Sequence, residues 1–550
     1  MTPARVLQLN PKDNVLVALS DFKKGEQIEF SGRIFTLGMD VSSKHKFATE
    51  DIVAGGAIVM YGVLIGKATE RIGAGERLTT RNTYHEAAAF HEKTEEYRWE
   101  SPNISRWREK VFLGYVRDDG QVGTRNYWLV VPMVFCENRN ISVLKQAFEE
   151  ELGFAPPQVY RKQVAELVHA YLAAGTGEIA GPSKAKGTAG TQSARIFENV
   201  DGIKFLLHEG GCGVTREDSS NLCGLIAGYI HHPNVAGATV LSLGCQNSQV
   251  AILREELKKR DPNFSKPLFV FEQQQSGSEF SMLSGAIEKT FHGMVEANKA
   301  VRQPASLSHL CVGLKCGGSD GFSGISANPA IGYTSDLVVA LGGRTILSEF
   351  PELCGVEQEL INRCTQKDVA DRFIQLLRDY AERVKAVRSG FDMNPSPGNI
   401  RDGLITDAMK SAGAAKKGGS APVTAVLDYP EYSTVPGLNL QCTPGNDVEC
   451  VTAQVGAGAN MVLFTTGLGT PTGNPIAPVV KIATNSQLLE KMQDIIDIDT
   501  GSIISGAQTV EEMGQDILDR IIQIASGATR TKAELLAQND FIPWKRGVSL

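Results

Sequence analysis

Short apolar runs, each broken off by a glycine-rich polar loop, recur along most of this chain. Residues 128–135 form one such run and end in Cys136-Glu137-Asn138. Residues 202–207 lead into His208-Glu209-Gly210-Gly211-Cys212, and residues 238–243 into Gly244-Cys245-Gln246. Residues 309–314 break into Lys315-Cys316-Gly317-Gly318-Ser319-Asp320, residues 344–348 end at Glu349 and Glu352, and residues 460–464 precede Thr465-Thr466-Gly467. Runs that are apolar at successive positions suit strands covered on both faces. Helical patterns follow several of them, over residues 222–229, 252–260, 368–387 and in the stretch 510–537. Strand, loop and helix repeated in this order predict α/β domains with mostly parallel sheets.

The first part of the chain has a different rhythm. Residues 12–83 carry the pattern apolar-x-x-Gly-x-x-apolar three times, at Phe22-Gly25-Ile28, Ile52-Gly55-Ile58 and Ile72-Gly75-Leu78. Each predicts a turn between short strands with glycine at a position of positive φ. This gives a small all-β module over 1–88, a polar connector over 89–110 that Trp99 and Trp107 should dock, and two α/β domains over 111–298 and 299–550. Residues 388–422, rich in Gly, Pro, Ser and Lys and including Lys416-Lys417-Gly418-Gly419-Ser420, read as a long excursion over the surface or the site.

Composition narrows the function. A net charge of −7 argues against nucleic acid or an anionic membrane as partner, and no apolar run reaches the ~20 residues of a membrane span. The first residues lack an apolar signal core, so a cytoplasmic location is expected, with the ten cysteines as free thiols or metal ligands. No GxGxxG or complete phosphate loop is present, and no GxSxG elbow stands beside an obvious acid–base pair, which leaves dinucleotide, nucleotide and serine-hydrolase chemistry without support.

The chemistry-bearing residues sit where parallel strands end, the place where open α/β sheets bind ligands. Cys136, Cys212, Cys245 and Cys316 each lie in a strand-end loop, and with His208 they have the donor types of a metal or iron–sulfur site, though no CxxC spacing. Glu137, Asn138, Glu209, Asp320, Glu349 and Glu352 are candidates for metal ligation or acid–base work. Arg125, Asn126, Lys315 and Lys481 are candidates for holding an anionic substrate, joined as substrate-binding candidates by Asn138, Ser319 and Thr466 in their loops. His45, alone near a strand, reads first as a packing residue and only weakly as a ligand.

At these residues the chain resembles the altronate/galactarate dehydratase family of sugar-acid hydro-lyases. The blocks that carry the resemblance are GYVRDDGQVGTRNYW (114–128), LLHEGGCG (206–213), HHPNVAGATVLSLGCQNSQ (231–249), VGLKCGGSDGFSGISANPAIG (312–332), ILSEFPE (346–352), GGSAPV (418–423), FTTGLGTPTGNPIAPVVKIATN (464–485) and DIDTG (497–501). Residues 12–83 resemble the family's N-terminal SAF module, a β-clip fold, including His45-Lys46 and Asn82. The resemblance implies β-elimination of water from a 2,3-dihydroxy sugar acid, altronate favoured over galactarate, dependent on Fe²⁺ or Mn²⁺. It implies Lys315, Asp320, Glu349 and His208 as catalytic candidates and a homo-oligomer, a dimer, as the assembly. An iron–sulfur dehydratase, a sulfo-lyase and a non-catalytic sugar-acid-binding protein are the other readings. The chain departs from the family at Thr79-Thr80-Arg81-Asn82, where many members carry HTHN, which makes His85, three residues on, a candidate stand-in ligand. It departs again at Glu137-Asn138-Arg139-Asn140.

Overall fold

The structure, a computed structural model, describes residues 5–156, 159–174 and 195–550. An N-terminal module of short antiparallel strands is followed by two α/β units built on parallel sheets. In the module, Val15–Ala18 pairs with Lys46–Ala48, Gln27–Phe30 with Arg33–Thr36, and Ala57–Met60 with Val63–Ala68. Gly25, Gly55 and Gly75 all take positive φ, 82°, 76° and 82°, as the three repeated turns require. The connector adds no strand of its own until Val111–Val116. It is docked by its tryptophans: the Trp107 indole donates to Asp519 at 2.9 Å and the Trp99 indole to the Ser420 hydroxyl at 3.1 Å.

The second unit holds a four-stranded parallel sheet of β1 (Tyr127–Pro132), β2 (Gly202–Phe205), β3 (Val235–Ser242) and β4 (Leu268–Glu272), in the order β2-β1-β3-β4. The third holds a seven-stranded parallel sheet of β5 (Cys311–Cys316), β6 (Arg344–Leu347), β7 (Val423–Leu427), β8 (Gly437–Gln441), β9 (Met461–Thr466), β10 (Val479–Ala483) and β11 (Ile498–Asp499). Its order is β7-β8-β6-β5-β9-β10-β11, so the strand order reverses beside β5, the position at which a doubly wound sheet opens a crevice. β5 and β9 are buried at every position, which explains why their apolar runs do not alternate.

The units share cores. Residues Leu225, Ile226 and Tyr229 of the second unit pack with Val451, Phe464 and Ile476 of the third. Val15, Ile58 and Ile65 of the N-terminal module pack with Phe322, Ile325, Leu404 and Met409. Residues 388–422, expected to run over the surface or over the site, take the second course, bringing Lys410 and Lys417 to the ends of β5 and β6. They contain α1 (Asp407–Ala415), most of which is buried against the module and the strand ends. Its apolar Ala408, Met409 and Ala412 fill the core while its polar residues find partners inside the protein. No helix among the described residues is long and apolar enough to cross a membrane.

Candidate active site

At the carboxyl ends of β5 and β6 the protein buries a chain of alternating charges. Lys315, fully buried in β5, donates to Glu349 Oε1, to the Gly445 carbonyl at 2.9 Å, and lies 3.0 Å from Asp447 Oδ1. Lys417 donates to the other oxygen of Glu349 at 2.7 Å and sits 2.9 Å from Cys316 Sγ. Lys410, from α1, pairs with Glu352 at 2.7 Å and reaches Asn394 Oδ1 at 3.1 Å. Glu349 is held in the left-handed region, φ 67°, with its backbone N–H donating to Thr443 Oγ1 at 3.0 Å. Such a conformation in a non-glycine residue costs about 1–3 kcal/mol and persists where surroundings over-determine it, as at functional sites.

Burial alone would strip the charges from these groups, and their partners restore them. Burial presses Lys315 toward neutrality, but Glu349 and Asp447 outweigh it and hold the ammonium protonated well above its usual range. Lys417 is raised in the same way: burial opposes its charge, and Cys316, Glu349 and Glu352 hold it. Burial pushes Glu352 up, yet Lys410, Lys315 and Lys417 bring it down to about 2. Burial pushes the Cys316 thiol up against the pull of Lys417, so it is protonated at neutral pH. Within this network three lysines face Glu349, Glu352 and Asp447, so the charges balance.

Asp320 has a different task from the catalytic one expected of it. Its Oδ1 accepts from the Phe322 N–H at 3.2 Å and the Ser323 hydroxyl at 3.0 Å. Its Oδ2 accepts from Thr484 at 3.1 Å and pairs with Lys44 of the N-terminal module at 2.9 Å. Asp320 thus pins the β5 loop to the module. The contact needs Gly321, where a Cβ would meet the Lys44 carbonyl at 2.6 Å. His45 Nε2 lies 3.1 Å from the Arg401 carbonyl, and Lys46 donates to the Gly403 carbonyl at 2.8 Å. Ser319 fits the substrate-facing role better, because its buried hydroxyl has no hydrogen-bond partner among the described residues. Thr466 Oγ1 accepts from the Gly469 N–H at 2.9 Å and closes the neighbouring β9 loop.

Donor atoms suited to a metal come together in three places among the described residues. Cys316, Glu349 and Glu352 are one, but Lys417 contacts the thiol and lysines hold both carboxylates, so this set does not fit a divalent cation. Asp119, His231 and Asp261 are another, set beside the half-buried Lys266, which donates to the His231 and His232 carbonyls at 2.7 Å. The third is His85, Cys354 and Asp407, at the seam between the N-terminal module and the third unit. Burial and the charge of Glu352 push Asp407 up to about 8.

The other predicted residues lie apart from the charged network. Arg125 is an internal clamp: it pairs with Glu534 at 2.6 Å and donates to the Thr124 and Ile524 carbonyls. Asn126 donates to the Asn199 and Ala297 carbonyls. Both precede β1, at the amino end of a parallel strand, opposite to where ligands bind. Lys481 donates to Gln538, and burial brings it down to about 8. His208 is buried with Nε2 on the Pro132 carbonyl at 2.8 Å and Nδ1 accepting from the Gly210 N–H at 3.2 Å, so both ring nitrogens are used inside the fold. Burial brings its pKa down to about 4. Cys136 and Cys245 are exposed and Cys212 half-buried, and none of them or His208 joins a three-donor group among the described residues. His208 and Asn138 line a cavity of about 610 Å³ at the carboxyl end of the four-stranded sheet, closed on its far side by Phe541 and Trp544. The residues that sequence reasoning passed over are Lys410, Asp407, Cys354 and Asp447. Lys417 was visible only as part of a polar stretch, with no sign that a buried carboxylate waited for it.

A buried lysine–carboxylate network at the switch point of a doubly wound sheet defines an enzyme of the α/β class, with an N-terminal β module sealing the site. Family models match along the chain: the Altronate/galactarate dehydratase SAF domain over residues 4–86, the D-galactarate dehydratase/Altronate hydrolase second domain over 114–298, and the D-galactarate/Altronate dehydratase C-terminal domain over 307–549. The chain is 34% identical over 551 residues to altronate dehydratase of Escherichia coli (strain K12), covering 99% of both chains. It is 34% identical over 521 residues to altronate dehydratase of Bacillus subtilis (strain 168), covering 95% of each. The galactarate dehydratase (L-threo-forming) of Escherichia coli is 28% identical over 534 residues, 96% of this chain and 93% of that one. The chain belongs to the altronate/galactarate dehydratase family, and is a hydro-lyase.

Proposed function

We propose that this enzyme dehydrates D-altronate to 2-dehydro-3-deoxy-D-gluconate and water, with Fe²⁺, or Mn²⁺ in its place, as cofactor. The observation that carries the reading is the Lys315–Glu349–Lys417 network at the ends of β5 and β6, in a chain collinear with two altronate dehydratases. The reaction removes the proton beside the carboxylate and expels the 3-hydroxyl, and the enol then tautomerises to the 2-keto-3-deoxy acid. Glu349, fixed between two ammonium groups, is the carboxylate assigned to take the proton. Lys315 and Lys417 then donate hydrogen bonds to the oxygens on which negative charge develops, in a site where burial strengthens each contact. Lys410 holds Glu352 ionised and orients it. Ser319 supplies a hydroxyl for the sugar chain.

The balance of charge supports the reading of a cationic cofactor. Three ammonium groups already face three carboxylates, so a substrate carboxylate finds no surplus positive charge in the network. A divalent ion supplies that charge and Lewis acidity. The test is to incubate the reduced, Fe²⁺-loaded protein with D-altronate, D-galactarate and related aldonates and assay 2-keto-3-deoxy acid. Product from D-altronate at a kcat/KM well above the others supports the reading. Galactarate as the better substrate would overturn the altronate assignment, and no product from any of them with Fe²⁺ or Mn²⁺ would overturn the dehydratase itself.

A further inference from the structure

We propose that His85, Cys354 and Asp407 form a binding site for one divalent transition-metal ion, clasped between the N-terminal module and the third unit. One nitrogen, one sulfur and one oxygen donor lie within 4.8 Å of one another. His85 Nε2 and Cys354 Sγ are 3.8 Å apart. Ligands about 2.0–2.3 Å from a tetrahedral ion stand about 3.3–3.8 Å from each other, so the three donors need to close by only about an ångström. Asp407 is 1% exposed, and the hydrogen-bond donors at its carboxylate are the Ser411 hydroxyl and the Cys354 thiol, with no backbone or charged donor among the described residues. A carboxylate oxygen buried in this way costs free energy unless a proton or a cation meets it.

The surroundings suit a held ion. The Ser411 hydroxyl donates to Asp407 Oδ1 at 3.3 Å, fixing the carboxylate from behind as outer partners of metal ligands do. The Ala408 N–H approaches His85 Nδ1 at 3.4 Å, a long contact that a small turn of the ring releases when Nε2 binds the ion. Mixed imidazole, thiolate and carboxylate donors select Fe²⁺, Co²⁺ or Zn²⁺ over Mg²⁺ or Ca²⁺. Three protein ligands leave a coordination position for water or substrate. The donors also share elements with the charged network: Cys354 is two residues beyond Glu352, and Asp407 lies one turn before Lys410 on α1. The use of this ion as the Lewis acid of the dehydration rests on the reading above; its binding does not.

The experiment is a Co²⁺ titration of the reduced, metal-stripped full chain, followed by absorption and by metal analysis after desalting. The expected result is one equivalent of cobalt with a thiolate-to-cobalt charge-transfer band. Cys354→Ser should abolish that band, Asp407→Asn and His85→Ala should weaken binding by about tenfold or more, and Cys316→Ser should keep the band. Unchanged thermal melting of the metal-free variants excludes misfolding as the cause, and Asp407→Asn, which keeps the shape of the side chain, serves if Cys354→Ser fails to fold. A wild-type chain that retains no cobalt, or a Cys354→Ser protein that retains the band, overturns the site. The dehydratase reading is judged separately by turnover of D-altronate: cobalt bound at this site with no sugar acid turned over sinks that reading and leaves the site standing.

Discussion

The two parallel sheets of this enzyme present their carboxyl ends in opposite ways. Around β1 and β2 the loops carry Cys136, His208, Cys212 and Asn138, residue types that invite a catalytic or metal-binding reading. The structure spends the two nitrogens of His208 on its own backbone and leaves the cysteines dispersed. Around β5 and β6 the loops bring Lys315, Glu349 and Glu352 together with Lys410 and Lys417, with nearly every charge buried. The same topology therefore makes one end that is polar but settled and another that holds ionised groups out of water. Burying an ion costs several kcal/mol unless a partner is in place. Concentrating that cost in one spot is what sets the second end apart as a place of chemistry.

The sharpest way to break this contrast is Glu349→Gln, which keeps the shape and removes the proposed base. It should lower kcat by about 10²–10⁴-fold on the sugar acid that the wild-type enzyme turns over, while KM changes little; loss of binding with kcat intact would contradict the assigned role. Next in size is Lys417→Met. It strips Glu349 of one of its two ammonium partners and should cost about 3–5 kcal/mol in urea unfolding, the penalty for breaking a buried pair. A variant as stable as the parent would mean that the network is solvated.

At the other sheet, His208 predicts a pH effect with a defined sign. Its folded pKa of about 4 lies below the 6.5 of a free imidazole, so the unfolded chain takes up the proton first as pH falls. The stability that the neutral ring contributes is complete above pH 6.5 and drains away toward pH 4, by about 3 kcal/mol at about 1.4 kcal/mol per unit. His208→Asn should flatten that part of the stability–pH curve without changing turnover at neutral pH by more than a few-fold. A large loss of turnover in a folded protein would return His208 to the chemistry. The smallest effect is expected from serine at Cys136, Cys212 and Cys245, singly: within about 0.5 kcal/mol for surface positions and with activity retained.

The sequence displayed the strands and their loops because strands covered on both faces need unbroken apolar runs, and β5 and β9 supply them. It displayed Lys315, Glu349 and Glu352 because each lies within or just past such a run. Lys410 and Lys417 were hidden for a tertiary reason. A lysine enters the interior only where partners from other elements meet its ammonium, and for Lys410 and Lys417 those partners, Glu352 and Glu349, are 58 and 68 residues away in the chain. The composition of residues 388–422 therefore left surface and site undivided, and only the tertiary pairing puts α1 in the core. Arg125 was misjudged for the converse reason: a guanidinium that grips Glu534 inside the fold carries the same fork that would grip a substrate carboxylate. Asp407 and Cys354 give no local signal at all, since each becomes a candidate ligand only by meeting His85 across the seam.

The contact between Lys46 and the Gly403 carbonyl joins residues 357 positions apart. At about 5–20 residues per second of synthesis, the N-terminal module leaves the ribosome roughly 20–70 s before its partner loop exists. Through that interval Val15, Ile58 and Ile65 lack the cover of Leu404 and Met409, and the ammonium of Lys46 lacks its carbonyl partner. The seam that carries the proposed metal ligands thus cannot form until residues 354–407 have followed the module, long after the module's own strands exist. If the proposed site holds, a cell short of metal at that moment would still complete the two sheets and leave only the seam unfilled.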